Sequence, residues 1–489
     1  PKPKNAKPTK HAETDRFLPS SFPLLARMVR DARLLLLLCG LIVLTSEAAA
    51  VNVIVIGAGI GGLTAARTLV DNVELPEGTT CEVTVLEARD RIGGRTYTKP
   101  AAAFNFGDAS GGVLDAGASW IHGSNPEHPT TKMCDALGLE RKETIEDDIQ
   151  LFSSTGTAVA DTGASFGSFV EILEDAQWGA SDGDSLWQSM AGVTASDGKT
   201  RDSEDNQYWL SGLEFNEGGK ATTIGAVTVG QRGSEMDGKE EVLPGGYVQL
   251  VDALASGQVK VGTGVPQLDV SARNPPPESA KLNILLSREV VAIAKKGELI
   301  EVTMKDGEVM QADYVISTLP LGVLKTGTPT FDPPLSVSKT DAIERLAFGN
   351  VAKISILFES AWWASKITVD WFGITRSGET ARGLSTQYVN MHKVAGKPVL
   401  MTFAVGPAAD AVDGMSDAAV WNATLANLKV IFGESVPPST YKAITVQRWG
   451  TDPYARGCYS HHSTTSQGSD YAAMGSDEYG GGLLFAGEA

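Results

Sequence analysis

The chain has 489 residues, 42% of them hydrophobic, enough to bury a large core and to fill about two to three domains. Its 59 acidic against 41 basic residues leave a formal net charge of −18, which argues against a nucleic-acid binder, since that would need a basic face. The same acidity steers cationic small molecules favourably, and it serves plain solubility equally well.

Residues 1–27 contain Pro, Lys and Ser without periodicity and read as a disordered or artefactual extension. Met28 opens a different pattern: MVRDAR, the apolar run Leu34 to Leu44, then TSEAAA with Ala48 and Ala50 in A-x-A register. That layout predicts a secretory signal peptide over 28–50, cleaved before Val51. An uncleaved anchor is the alternative, although the apolar run is short for a stop-transfer helix. The expected location is outside the cell or in the endomembrane lumen, with no stable membrane span after cleavage. On that view Asn422-Ala-Thr is a usable glycosylation sequon.

Cys39 leaves with the leader, and Cys81, Cys134 and Cys458 are too few for a disulfide framework. No C-x-x-C or spaced His cluster indicates a metal, and the adjacent pair His461-His462 reads as structural.

The chain turns on Val51 to Thr98. Asn52 to Ile56 is a short run of β-branched residues that suits a strand buried on both faces of a parallel sheet. Gly57, Gly59 and Gly62 follow at G-x-G-x-x-G spacing, with Ile60 and Gly61 between them, and a helical run comes next. The first glycine permits the tight turn, the second lets a pyrophosphate approach the backbone, and the third lets the helix pack closely. The helix N-terminus then stabilises the phosphate charge. Glu82 to Leu86 reads as the second strand, with Glu87 at its end to accept ribose hydroxyls and Ala88 and Arg89 beside it.

The segment Arg91 to Arg95, R-x-G-G-R with Gly94 and Arg95 at its end, resembles the second flavin signature of the flavin amine oxidase family. In that family it approaches the FAD pyrophosphate, so the resemblance makes FAD the expected cofactor. The alternative is an NAD module with a chance Gly-Gly-Arg. The implied fold is α/β, a Rossmann-like FAD-binding domain of the glutathione-reductase type with an interleaved α+β substrate-binding domain. The expected division gives 51–130, 241–325 and 441–489 to the FAD-binding domain, and 131–240 and 326–440 to the substrate-binding domain.

Leu114 to Pro126, LDAGASWIHGSNP, resembles the G-A-x-W-I-H-G segment of polyamine oxidases and histone-demethylase-like amine oxidases. The resemblance implies that Ala118, Ser119 and Trp120 lie against the flavin and that His122 handles substrate placement or a proton. SFVEILEDAQW carries helical spacing, and YWLSGLEFNEGG, Tyr208 to Gly219, resembles the helix at the family's active-site entrance. There Glu214 or Glu217 are candidates to meet a substrate ammonium, against the ordinary reading of solvated surface carboxylates. LPGGY at Leu243 to Tyr247 starts a return to the cofactor domain, with a helix through Val248 to Leu254.

Further on, Lys-Lys-Gly and Lys-Asp-Gly turns predict a pair of hairpins, and Val290 matches the family's valine near the adenine. Lys353 sits in the apolar strand VAKISILF, where an amine is costly unless satisfied. By resemblance it is the lysine that reaches the flavin N5 through water; snorkelling to the surface is the alternative. DAAVWNATLANLKVIFG reads as an amphipathic helix ending at Gly433.

VQRWGTDPYARGCYS resembles the family's R-W-x-x-D-P-x-x-x-G-x-Y-S and implies Trp449 near the flavin ring and Tyr459 as one wall of an aromatic slot. Cys458 stands where monoamine oxidases keep the cysteine joined to flavin and polyamine oxidases commonly have Ser or Thr. LLFAGEA resembles the start of the last FAD motif, with Glu488 on the cofactor. What the family adds next is absent, so a fragment is expected, and with it the alternative of an inactive flavoprotein or scaffold.

Taken together, the resemblance implies a FAD-dependent amine oxidase, nearest to polyamine oxidases. Its partners would be a small-molecule amine and oxygen, with hydride transfer to flavin and hydrogen peroxide as product. Catalytic candidates are Lys353, His122 and Tyr459, with Tyr459 and Glu214 as substrate contacts. A monoamine or L-amino-acid oxidase is the alternative; a nuclear histone demethylase is disfavoured by the leader and by the lack of a long coiled-coil insertion.

Overall fold

The computed structural model describes residues 50–72, 75, 79–99, 113–146, 148–228, 237–257, 279–434 and 437–488. The expected extension and all of the expected leader except Ala50 lie outside the described residues. Among the described residues, no helix is long and apolar enough to cross a membrane.

The glycine turn sits at the centre of a five-stranded parallel sheet. Its strand order is Leu483–Phe485, Tyr314–Ser317, Ala50–Ile56, Thr80–Leu86 and Ala280–Leu285. The run of β-branched residues in Ala50–Ile56 is continuous because both faces are covered. Val51, Val53 and Val55 pack on the helices Ile60–Asn72 and Val248–Ser256 through Leu63, Ala66, Leu250 and Val251. On the other face, Ile54 and Ile56 meet Val290, Ile293, Ile300 and Val302 of a four-stranded sheet.

That sheet contains the expected hairpins. Val290–Lys296 pairs antiparallel with Leu299–Met304, which pairs with Val309–Ala312. Parallel and antiparallel sheets therefore coexist, as the expected α/β class requires.

A second core surrounds a six-stranded sheet ordered Ala443–Arg448, Ala352–Leu357, Val399–Ala404, Leu384–Asn390, Trp371–Ile374 and Ile149–Phe152. Alternation along Ala352–Leu357 sends Ala352, Ile354 and Ile356 into one layer with Trp363, Trp421 and Leu428. Lys353 and Ser355 take the opposite face, where Lys353 lies directly across from Phe403.

Strand pairing crosses the expected domain boundaries at several places, two of them in the large sheets. Ala443–Arg448, assigned from sequence to the FAD-binding domain, joins this sheet beside Ala352–Leu357. Thr330–Asp332, assigned to the substrate domain, pairs with Val290–Lys296 in the four-stranded sheet. Neither register is encoded locally, because each strand's partner is distant in the chain. The helices Thr162–Gly179 and Glu204–Glu217 pack on one another through Phe169, Ile172, Leu210 and Leu213.

Candidate active site

One cavity of about 1140 Å³ begins at the glycine turn and runs to the helices Thr162–Gly179 and Glu204–Glu217. At its first end the backbone is arranged for a dinucleotide. Gly57 adopts φ 103, and its N–H donates to Leu86 O at 2.8 Å, tying the start of the turn to the end of the neighbouring strand Thr80–Leu86. A Cβ on Gly62 would lie 1.9 Å from Gly57 O, so this glycine serves helix packing and does not face the cavity. A Cβ on Gly59 would meet no atom within 4 Å; this space at the helix N-terminus is what an approaching pyrophosphate requires.

Glu87 is 5% exposed. Its carboxylate accepts from Ala58 N at 2.8 Å and from Arg89 N at 2.9 Å, which orients it on the cavity wall and leaves lone pairs for hydroxyls. Arg89 lines the same wall, but its guanidinium is held by a two-pronged bond to Asp452 at 2.7 and 2.8 Å. Arg95 bonds Cys458 O and reaches Glu488 at 3.1 Å, while Glu488 also accepts from Ser460. Ile60, Gly61, Ala88, Gly94 and Val290 line the cavity too.

The middle of the cavity belongs to Lys353. It is 8% exposed and does not snorkel; Nζ donates to Ser119 Oγ at 2.5 Å, to Gly117 O, and to Asp115 O at 3.5 Å. Burial pushes its ammonium down to about 8, against the opposing pull of the Asp115 charge. Asp115 is itself pushed up to about 6 by burial, although Thr98 and Tyr247 N donate to its carboxylate. The bonds of Lys353 fix the backbone of Gly117 and the side chain of Ser119, beside Ala118 and Trp120 on the cavity wall.

Around this amine stands an aromatic box. Trp120 stacks on Trp371 at 5.7 Å, Phe215 meets Phe403 at 4.6 Å, and Trp449 and Tyr459 also line the space. The Tyr459 hydroxyl donates to Phe215 O, which ties this wall to the helix Glu204–Glu217. Cys458 is buried on the same wall; Sγ donates to Val351 O at 3.0 Å, and burial raises the thiol to about 12.

At the far end the helix Thr162–Gly179 contributes Phe166, Phe169, Val170 and Leu173, with the carboxylates Glu146, Glu174 and Glu217. His122 also lines the cavity, bonded through Nδ1 to Glu240.

Glu214 requires correction. It is neither a substrate contact nor a solvated carboxylate: it is 0% exposed, outside the cavity wall, and bonded to Arg382 at 2.8 and 3.1 Å and to Ala221 N at 2.8 Å. On Glu204–Glu217 it shares a face with Gln207, seven residues earlier, which also accepts from Arg382 at 3.2 Å. Phe215, Asn216 and Glu217 turn the other way, into the cavity. Trp371, Phe403, Asp115 and Glu240 escaped sequence reasoning; Asp115 alone left a signal, as an acid next to the Gly-Ala-Ser-Trp turn.

A family model described as flavin containing amine oxidoreductase matches residues 60–489. The chain is similar to polyamine oxidase 2 of Arabidopsis thaliana, 31% identical over 431 residues that span 84% of this chain and 78% of the relative. It is 32% identical over 456 residues to lysine-specific histone demethylase 1 homolog 3 of Oryza sativa subsp. indica, spanning 90% of this chain and 51% of that protein. Among solved structures, a double mutant of putrescine oxidase from a redesign of cofactor binding shares the fold. Its TM-score is 0.63 at 19% identity, covering 90% of this chain and 93% of that chain.

Proposed function

The chain belongs to the flavin containing amine oxidoreductases, and from that premise we propose that it is a polyamine oxidase producing hydrogen peroxide. Its cofactor is FAD, and the open space at Gly59, the oriented Glu87 and the Arg95–Glu488 pair fit that group. Bound FAD supplies the two-electron acceptor for oxidation of a C–N bond to an imine, with oxygen as the final oxidant.

The carrying observation is continuity: a single cavity links the glycine turn, the Lys353 amine and a chamber that has apolar walls and three carboxylates. Methylene segments suit Phe169 and Leu173, and distal ammonium groups suit Glu146, Glu174 and Glu217. The aromatic box excludes water and orients the reacting amine. Spermidine, spermine, a monoamine and an L-amino acid, each assayed for peroxide release, test this. Turnover of spermidine or spermine is expected to exceed the others, and a preference for the monoamine or amino acid would overturn the polyamine reading.

The two glycines separate cofactor binding from folding. Gly59→Ala is expected to keep the thermal midpoint of the apoprotein and to lose FAD, measured by flavin absorbance after gel filtration. Gly62→Ala is expected to lower the midpoint itself, because its Cβ would collide with Gly57 O.

Cys458 is proposed to stay a free thiol. Its raised pKa leaves almost no thiolate at neutral pH, and Val351 occupies its sulfur from both sides through N–H and C=O. Acid precipitation should leave the yellow colour in the supernatant; a yellow pellet would establish a covalent bond. From the signal peptide expected over 28–50 we propose that the enzyme is secreted, which N-terminal sequencing of protein recovered from culture medium would check.

A further inference from the structure

His122 lies in an irregular stretch of strand. Trp120–Ser124 pairs antiparallel with Lys239–Val242, matching Ile121 to Glu241 and Ser124 to Lys239. Two residues, His122 and Gly123, therefore face the single residue Glu240, and Gly123 takes φ 66. Such a bulge re-aims the side chain that precedes or follows it.

Glu240 serves both residues of the bulge. One carboxylate oxygen bonds His122 Nδ1, and the other accepts from Gly123 N at 3.1 Å. Its neighbour Glu241 is engaged elsewhere, with Arg141 Nε at 2.8 Å and Ser124 Oγ at 2.5 Å. An ionised carboxylate only accepts hydrogen bonds, so the ring nitrogen facing it must carry the proton. In a neutral imidazole that makes Nε2 the basic nitrogen. The ring is on the wall of the cavity.

We propose that Glu240 is a positioning residue that holds His122 as the Nδ1–H tautomer, so that Nε2 takes the proton of an entering substrate ammonium. The tautomer stands on the bulge geometry alone, whereas the proton transfer rests on the amine-oxidase reading above. In that step one N–H bond of the ammonium breaks and one forms at Nε2, giving a neutral amine and an imidazolium whose charge is balanced by Glu240. The proton leaves to water after the product has gone. No redox change is involved; the step prepares the amine lone pair that oxidation requires.

Glu240→Gln provides a sharp test because Gly123 N still needs an acceptor. The amide oxygen takes that bond, so the amide NH₂ faces His122 Nδ1, which must then accept, and the ring proton moves to Nε2. The protein has six histidines, and His122 can be assigned in ¹⁵N-histidine spectra by its disappearance in His122→Asn. The expected spectra show Nδ1–H in the wild type and Nε2–H in E240Q.

In kinetics, E240Q should lower kcat/KM for the best amine by about a hundredfold. In the His122→Asn background the same change should cost less than about twofold, because the two residues act as one unit. Finding Nε2–H in the wild type, or an equal cost of E240Q in both backgrounds, would overturn the proposal. Absence of wild-type turnover on every amine would instead sink the oxidase reading, and the spectra would still decide the tautomer.

Discussion

Replacing Lys353 by methionine is expected to lower turnover by about a hundredfold while changing the pH dependence of stability in a defined direction. The first effect follows from location. The amine is the charged group at the centre of the cavity, and its three acceptors lie in the segment Asp115 to Ser119 that carries the cavity wall. With burial lowering its pKa from 10.5 to about 8, Lys353 can give up and regain a proton at working pH, which methionine cannot.

The second effect follows from linkage. Below pH 8 both the folded and the unfolded chain carry the ammonium, so folding bears the full cost of burying it. Between pH 8 and 10.5 the folded chain releases its proton first, and the cost falls away. A drop from 10.5 to about 8 corresponds to about 3 kcal/mol. Urea denaturation of both proteins at pH 8 and at pH 10.5 reads it directly: the wild type should gain about 3 kcal/mol on K353M over that interval. A constant difference would mean that Lys353 does not titrate in the folded protein, and unchanged turnover would remove its proposed role.

The sequence showed this lysine for a local reason. A single amine in VAKISILF is visible as a conflict between strand burial and charge, and such conflicts concentrate where function is built. The glycine turn was legible for the same kind of reason, since its strand, glycines and terminal acid lie within Ala50–Ile56, Ile60–Asn72 and Thr80–Leu86.

Glu240 and Arg382 were not legible, because their meaning lies in partners 118 and 168 residues away, His122 and Glu214. Glu214 shows the cost of that blindness. Its neighbours Leu213 and Phe215 do line the cavity, and only the rotation of the helix, fixed by packing against other elements, sends Glu214 to the opposite side. The strand exchange at Ala443–Arg448 and Thr330–Asp332 has the same origin, since a strand's partner is chosen by tertiary packing and not by its own residues.

Arg382→Met is expected to destabilise the fold by about 3–5 kcal/mol, a loss that Glu214→Gln in the same chain should largely reverse. Arg382 is 1% exposed and Glu214 is 0% exposed, so removal of the guanidinium leaves a carboxylate without its counter-charge in a site closed to water. The glutamine restores neutrality and keeps an oxygen for Ala221 N, which glutamate now holds at 2.8 Å. What the double variant still lacks is the Gln207 bond at 3.2 Å and the guanidinium over the Trp187 ring at 5.3 Å, together about 1–2 kcal/mol. Urea titrations of the two single variants and the double complete the cycle. A double variant no more stable than R382M would show that Arg382 acts through packing and not through charge. The same cycle reports on the site, because the pair fixes the rotation of Glu204–Glu217 that points Phe215 and Glu217 into the cavity. R382M should therefore raise KM more than it lowers kcat, since it loosens the chamber wall while leaving Lys353 in place.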